Sequence, residues 1–317
     1  MHSCGGAKPP DGSIAADRWW ASTPEDHRPE NPVADRDTFP DPMPFTREIE
    51  VALAAALAAA DRVRALYASG VEVDWKGHDD PVTTADHEAN AMIVAALRAA
   101  FPDDGICAEE SDTSESSEAA ARGGRCWFID PLDGTKDFVQ RNGEFCVMVG
   151  LAVQGRAALG VVVSPVSGVA LVGVPGEGSW SIDPSGARTQ LRVRVVASAS
   201  EARMIGSRSH PHPRVTALAE ALGVTDLRRR GSVGLKVAAV ATGECDLYAH
   251  FGRGPKLWDG CAPEAIARGA GALVTDSLGR DIAYDTAWLG LDDGLVVAPA
   301  ALHALALAEL ARLAALP

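Results

Sequence analysis

Between Cys126 and Trp180 the chain consists of short β-rich runs, Cys126 to Ile129, Phe145 to Val153, Ala158 to Val163 and Val169 to Val174, broken by Gly, Pro and Ser at hairpin-like intervals. Apart from the stretch between Ile129 and Phe145, these connections are too short for crossover helices, so the spacing predicts a sheet made largely of adjacent antiparallel strands. Such a sheet must cover its apolar face, and the flanking sequence supplies the helices to do so. From Thr46, apolar residues at Ile49, Leu53, Leu57 and Ala60 recur at helical spacing up to a stop at Gly70. A second helix is predicted from about Thr84, with Ala89, Ile93, Ala96, Leu97 and Ala100 on one face and an end at Pro102. After Ser198 the pattern alternates: a strand near Met204 to Gly206, helices near Pro213 to Leu222 and Leu235 to Thr242, a strand at Asp246 to Tyr248, and a helix from Asp259 to about Gly269. A closing helix carries Leu302, Ala306, Leu310 and Leu313 on one stripe. Helices sandwiching sheets, an α/β or α+β architecture, fit this order.

Residues 1–45 hold eight of the twenty prolines and no sustained periodicity, which predicts a disordered or loosely docked extension. A soft boundary near residue 195 divides the remainder into two subdomains, 46–195 and 196–317. The formal net charge of −14 argues against non-specific binding to nucleic acid or anionic lipid. The apolar stretch Val51 to Ala60 is far shorter than the ~18 residues of a membrane span, and the first thirty residues read as neither signal nor transit peptide. A cytoplasmic location without a membrane partner is expected. The six cysteines form no C-x-x-C pair, so buried free thiols are expected rather than a disulfide framework or zinc knuckle.

The densest chemistry lies in W-F-I-D-P-L-D-G-T-K-D-F, Trp127 to Phe138, where an apolar strand ends at Asp130 and turns through Pro131 and Gly134 into a short helix. Asp130 and Asp133 can face one cation across that turn, and hard carboxylate oxygens suit Mg²⁺. The amides of Gly134 and Thr135 would then stand at a helix N-terminus, where unsatisfied N–H groups favour a phosphate. A bare D-P-x-D-G is equally a simple turn. Glu109-Glu110, after the strand-like Ile106-Cys107-Ala108, reads alone as a solvated charge pair, and Asp259 in Leu257-Trp258-Asp259 as a helix cap.

Taken together, D-P-L-D-G-T, E-E-S and W-D, with Pro81-Val82-Thr83-Thr84-Ala85-Asp86 upstream, resemble the inositol monophosphatase superfamily of Mg²⁺-dependent, lithium-sensitive phosphomonoesterases, over roughly residues 46–300. The resemblance implies an αβαβα layered sandwich of the inositol monophosphatase/fructose-1,6-bisphosphatase type. It implies that Glu109, Asp130, the Leu132 carbonyl, Asp133 and Asp259 hold two or three Mg²⁺ ions, offsetting a site charge of about −4. Glu109, Asp130 and Leu132 would serve the attacking water, and Asp130, Asp133 and Asp259 the ester oxygen. Thr135 would accept the water's hydrogen bond once its own proton is directed to Asp86, with in-line attack and no covalent intermediate. Asp86 alone also reads as an ordinary acid in a first helical turn.

Further stretches, Lys136 to Phe145, Gly206 to His210, Gly231 to Lys236 and Trp258 to Glu264, resemble the 3′(2′),5′-bisphosphate nucleotidase branch, which hydrolyses the 3′-phosphate of adenosine 3′,5′-bisphosphate to AMP and often takes the sulfated analogue. The substrate would be a small phosphate ester, held at Gly134 and Thr135 and, for a second phosphate, by Arg208, His210 and Lys236; Arg253 and Lys256 are further candidates. Each of these cations also reads as a surface charge. The sequence departs from the pattern at Gly260-Cys261, where Thr or Ala is more usual, and at His250 to Gly254, which lacks the Glu that inositol phosphatases place on substrate hydroxyls. An inositol, sugar or pathway-specific nucleotide monophosphatase is the alternative, and a nucleotide sensor without turnover a third reading. A homodimer is left open.

Overall fold

The computed structural model describes residues 43–69, 73–77 and 80–315, so the expected extension over 1–45, with Cys4, falls almost wholly outside the described residues. The chain opens with α1 (Thr46–Ser69), β1 (Val73–Gly77), β2 (Asp80–Thr83) and α2 (Thr84–Ala100), β1 and β2 pairing antiparallel. The α1 face that is buried runs through Ile49, Ala52, Ala56, Ala59, Ala60 and Val63, whereas Leu57 is 38% exposed and Leu53 half-buried. The stripe expected through Leu53 and Leu57 is therefore turned aside: an alanine row lets α1 and α2 approach more closely than leucines would.

A seven-stranded sheet follows, in the order β3 (Gly105–Ala108), β4 (Arg125–Asp133), β5 (Cys146–Val153), β6 (Arg156–Val163), β7 (Ala170–Val174), β8 (Gly178–Ile182), β9 (Arg188–Gln190). Only β3 and β4 are parallel; the rest form the expected antiparallel meander. Two helices interrupt it, α3 (Thr113–Ala121) between β3 and β4 and the short α4 (Thr135–Val139) after β4. Unforeseen in the sequence, α3 is started by Asp112, whose carboxylate accepts from Ser114 N at 2.8 Å and Glu115 N at 3.2 Å.

The second sheet has five strands: β10 (Arg203–Ser207), β11 (Asp226–Arg230), β12 (Leu247–His250), β13 (Ala272–Thr275) and β14 (Leu295–Pro299), in the order β11-β10-β12-β14-β13. Its helices are α5 (Pro213–Leu222), α6 (Val233–Ala241), α7 (Leu257–Gly269) and α8 (Ala300–Ala314). The charged strand β11, D-L-R-R-R, is legible only in the fold. It lies at a sheet edge, where Arg228 pairs with Asp226 at 2.8 Å and Arg230 with Glu244 at 2.8 Å.

Alternation along the strands sorts the core into three apolar layers. On β4, Trp127 and Ile129 point to α1 and α2, while Cys126 and Phe128 point to the opposite core, which they share with Cys261 and Ala265 of α7 and Val237 of α6. That middle core also receives Ile205, Tyr248 and Val297 from the second sheet, whose Met204, Leu247 and Val296 turn outward to α5 and α8. The layers are thus helices, sheet, helices, sheet, helices, as the resemblance implies. The five described cysteines are buried and free, and no helix among the described residues is long and apolar enough to cross a membrane.

Glycines fix how closely α7 lies on the first sheet. A Cβ at Gly160 would stand 2.1 Å from Ala262 O, one at Gly150 2.6 Å from Ala262 N, and one at Gly173 2.4 Å from Ile266 Cα. Every one of these atoms is backbone or close to it, so no side chain can swing aside. Gly160→Ala is expected to cost at least the ~1–3 kcal/mol typical of overpacking, read as a fall in the midpoint of urea unfolding, whereas Gly176→Ala, with nothing within 4 Å of its Cβ but a positive φ of 87°, isolates the purely conformational cost.

Candidate metal and phosphate site

Residues three apart on a regular strand face opposite sides. Asp130 and Asp133 escape this because β4 breaks register between them: Asp130 pairs with Met148 of β5, and after the irregularity Asp133 pairs with Cys146. Pro131 and Leu132 absorb the offset, with Leu132 N donating to Asp130 Oδ1 at 3.0 Å. The chain then turns at Gly134, whose φ of 99° and prospective Cβ, 2.8 Å from Glu144 O, exclude any side chain. Beyond it α4 begins with no side-chain cap on its first amides.

Asp259 arrives from the other sheet's side. It is the third residue of α7, and its carboxylate accepts from Lys256 N at 2.5 Å, so it closes the helix start without being the cap residue. The glycine-permitted approach of α7 to β5, β6 and β7 brings this carboxylate to β4. Oxygens of Asp130, Asp133 and Asp259 lie within 4.8 Å of one another. Glu109, one residue past β3, stands beside this triad: its N–H donates to Ile129 O at 3.1 Å and its charge acts on Asp130.

Crowded carboxylates away from water resist ionisation. Burial first, then Glu109, Asp133 and Asp259, hold the Asp130 carboxyl well above the usual range. Asp259 is pushed up to about 7 by burial and the Asp133 charge, and shares a hydrogen bond with Asp130. Two carboxyls can bond each other only by sharing a proton, which a hard dication would replace. The donor set, all oxygen and acidic, therefore fits Mg²⁺ or Mn²⁺, with Asp130, Asp133, Asp259, Glu109 and the Leu132 carbonyl available to hold it.

Thr135 and Asp86 meet beside the triad. Thr135 Oγ1 lies 3.1 Å from Asp86 Oδ1 and 3.1 Å from Leu132 O, two acceptors for its single proton. Asp86 Oδ2 accepts from Thr83 N and Thr83 Oγ1, each at 2.7 Å, which makes Asp86 the acid of the α2 capping box as well. Asp86 thus serves the helix start and contacts Thr135 at the same time. Burial pushes its carboxyl up to about 6, against the pull of these donors.

The expected phosphate cations take different places. Lys236 is buried, its Nζ donating to Ser232 O at 2.5 Å above the Tyr248 ring, with its charge acting on Asp133, Asp137 and Asp259. Arg208 pairs with Glu144 at 2.6 Å and approaches Asp137 at 3.8 Å. His210 Nε2 is 3.1 Å from Nζ of Lys136, a residue singled out only as part of a motif. Arg253 is 89% exposed, 4.0 Å from Asp292, and Lys256 serves α7 through its backbone. Sequence reasoning missed Ser232, Gly234 and Cys146, which surround Asp133; the Ser of G-S-V-G, three residues before Leu235, carries the spacing of a helix cap and could have been read as one.

The raised carboxyls set a pH dependence. An acid with pKa about 4 unfolded and about 6 to 7 folded binds its proton more tightly in the native state, so its contribution to stability is full below about 4 and declines as pH rises through 7. In EDTA the protein is expected to melt at a higher temperature at pH 6 than at pH 8, Asp130→Asn is expected to flatten that difference, and Mn²⁺ at pH 8 to restore stability; thermal melts at matched ionic strength check all three.

The sequence profile of the inositol monophosphatase family matches residues 46–315. Over 228 residues, 71% of this chain and 89% of the relative, the chain is 38% identical to the 3′(2′),5′-bisphosphate nucleotidase CysQ of Salmonella typhimurium. It is 31% identical, over 72% of this chain and 84% of the relative, to the Nus factor SuhB of Haemophilus influenzae. Among solved structures, CysQ from Bacteroides thetaiotaomicron superposes with a TM-score of 0.67 at 27% identity, covering 80% of this chain and 98% of that one. A family match that spans residues 46–315, and with them both sheets, means that this chain belongs to the inositol monophosphatase family.

Proposed function

We propose that this phosphoric monoester hydrolase removes the 3′-phosphate of adenosine 3′,5′-bisphosphate, giving AMP, and acts likewise on the sulfated analogue. The observation that carries the hydrolytic reading is the Thr135–Asp86 contact at 3.1 Å beside three carboxylates within 4.8 Å. The substrate reading is supported by the 38% identity to a CysQ nucleotidase, against 31% to SuhB, and by the absence of a Glu from the stretch His250 to Gly254.

Divalent cations held by Glu109, Asp130, the Leu132 carbonyl, Asp133 and Asp259 would supply charge neutralisation and Lewis-acid polarisation of the ester. The chain's own groups do the rest. With Asp86 ionised, Thr135 directs its hydroxyl proton to Asp86 Oδ1, and its oxygen lone pairs are left to accept a hydrogen bond from the attacking water. The Gly134–Thr135 amides at the start of α4 orient the scissile phosphate. Lys136, one residue beyond Thr135, and His210, 3.1 Å from it, face the second phosphate, while Arg208, engaged by Glu144 and Asp137, braces the 206–210 segment against the α4 loop.

Below the Asp86 pKa of about 6 its carboxyl holds its own proton, and Thr135 loses the partner that fixes its hydroxyl. The acidic limb of the kcat/KM profile is therefore expected to bend near pH 6, and Asp86→Asn to lower kcat by ~100-fold or more with little change in KM. Steady-state phosphate release over a pH series with saturating Mg²⁺ measures both. A panel of adenosine 3′,5′-bisphosphate, inositol 1-phosphate and a sugar phosphate tests the substrate; faster turnover of inositol 1-phosphate reverses the proposal in favour of the inositol monophosphatase alternative.

A further inference from the structure

Ser232 stands immediately before α6 with φ 57° and ψ 130°, a conformation that costs a non-glycine residue energy and persists only where its surroundings impose it. Its hydroxyl explains the imposition. Ser232 Oγ donates to Asp133 Oδ2 at 2.5 Å and accepts from Leu235 N at 3.0 Å, while its carbonyl accepts from Lys236 Nζ at 2.5 Å. The same Asp133 oxygen receives Gly234 N at 2.6 Å and faces the Cys146 thiol at 3.8 Å. Gly234 can bring its amide this close because it lacks a side chain: a Cβ there would stand 2.6 Å from both Cys146 Sγ and Met148 Sδ.

Ser232 Oγ, Gly234 N and the Cys146 thiol all converge on Oδ2, and none of these contacts engages Oδ1. A carboxylate fixed through one oxygen loses the rotation about its terminal bond that it would otherwise give up on binding an ion. From this geometry we infer that Ser232 is a positioning residue, which holds Asp133 through Oδ2 so that the carboxylate is oriented for a divalent cation before the cation arrives. The inference rests on the metal reading of the acids and is independent of which ester is hydrolysed. A strained backbone is retained at residue 232 because only there does a hydroxyl meet both Asp133 and the first turn of α6.

The test uses Ser232→Gly in the full chain, since glycine accepts φ 57° without strain and substitutes for a serine helix cap at small cost. Isothermal titration with Mn²⁺ is expected to show a dissociation constant raised by about 10–100-fold relative to wild type, the usual range for losing such a support. The circular dichroism spectrum in EDTA is expected to be unchanged. A purely structural role would do the reverse, lowering the melting temperature and leaving Mn²⁺ affinity alone. Affinity within about twofold of wild type, or loss of the folded spectrum in S232G, overturns the inference while leaving the metal site intact. Wild-type protein that takes up no Mn²⁺ overturns the metal reading and this inference with it.

Discussion

Carboxylates packed together out of water are a cost that a fold must offset. Here Asp130, Asp133 and Asp259 bring oxygens within 4.8 Å, and burial with mutual repulsion drives Asp130 and Asp259 toward their neutral forms. Lys236, buried under Asp133 and Asp259, offsets part of the charge, but its ammonium bonds a backbone carbonyl, and one cation cannot balance four acids. The arrangement spends native stability on a site that divalent cations would complete, which is the pattern of an active site built for function over stability.

Each layer of the fold contributes one side of that site. The register break in β4 sets two acids on a common face, the glycines of β5, β6 and β7 admit α7 closely enough to deliver the third, and the N-terminus of α6 reaches across from the second sheet's helices to hold Asp133. Asp86 joins from α2, where it both caps the helix and meets Thr135. Helices from both sides of the first sheet therefore meet at one end of β4, and the order of the layers is what makes acids spread over some 150 residues of chain neighbours.

Much of this was legible in the sequence because local pattern and site chemistry coincide. The hairpin-spaced runs after Cys126 gave the meander, and the motif acids lie at or near the ends of regular elements, although β4 runs on past Asp130 to Asp133. What failed did so for tertiary reasons. Leu57 was expected on the buried face of α1, but close helix packing prefers the alanine row, and β11 carries no apolar alternation to mark it as a strand, its arginines being matched by Asp226 within the strand and Glu244 beyond it. The strands β13 and β14 are too short to signal a period of their own. Likewise no spacing rule could place Ser232 on Asp133, 99 residues away, or bury Lys236.

The central claim is that these acids share divalent cations in the folded chain. Crystals grown with Mn²⁺ and measured at the manganese absorption edge test it directly, because anomalous scattering locates the ion without reference to the surrounding atoms. The account predicts an anomalous peak bonded to oxygens of both Asp130 and Asp133, with Asp259 or Glu109 completing the shell. A well-diffracting crystal at saturating Mn²⁺ with no peak between these carboxylates, or with its only peaks elsewhere on the acidic surface, would contradict it.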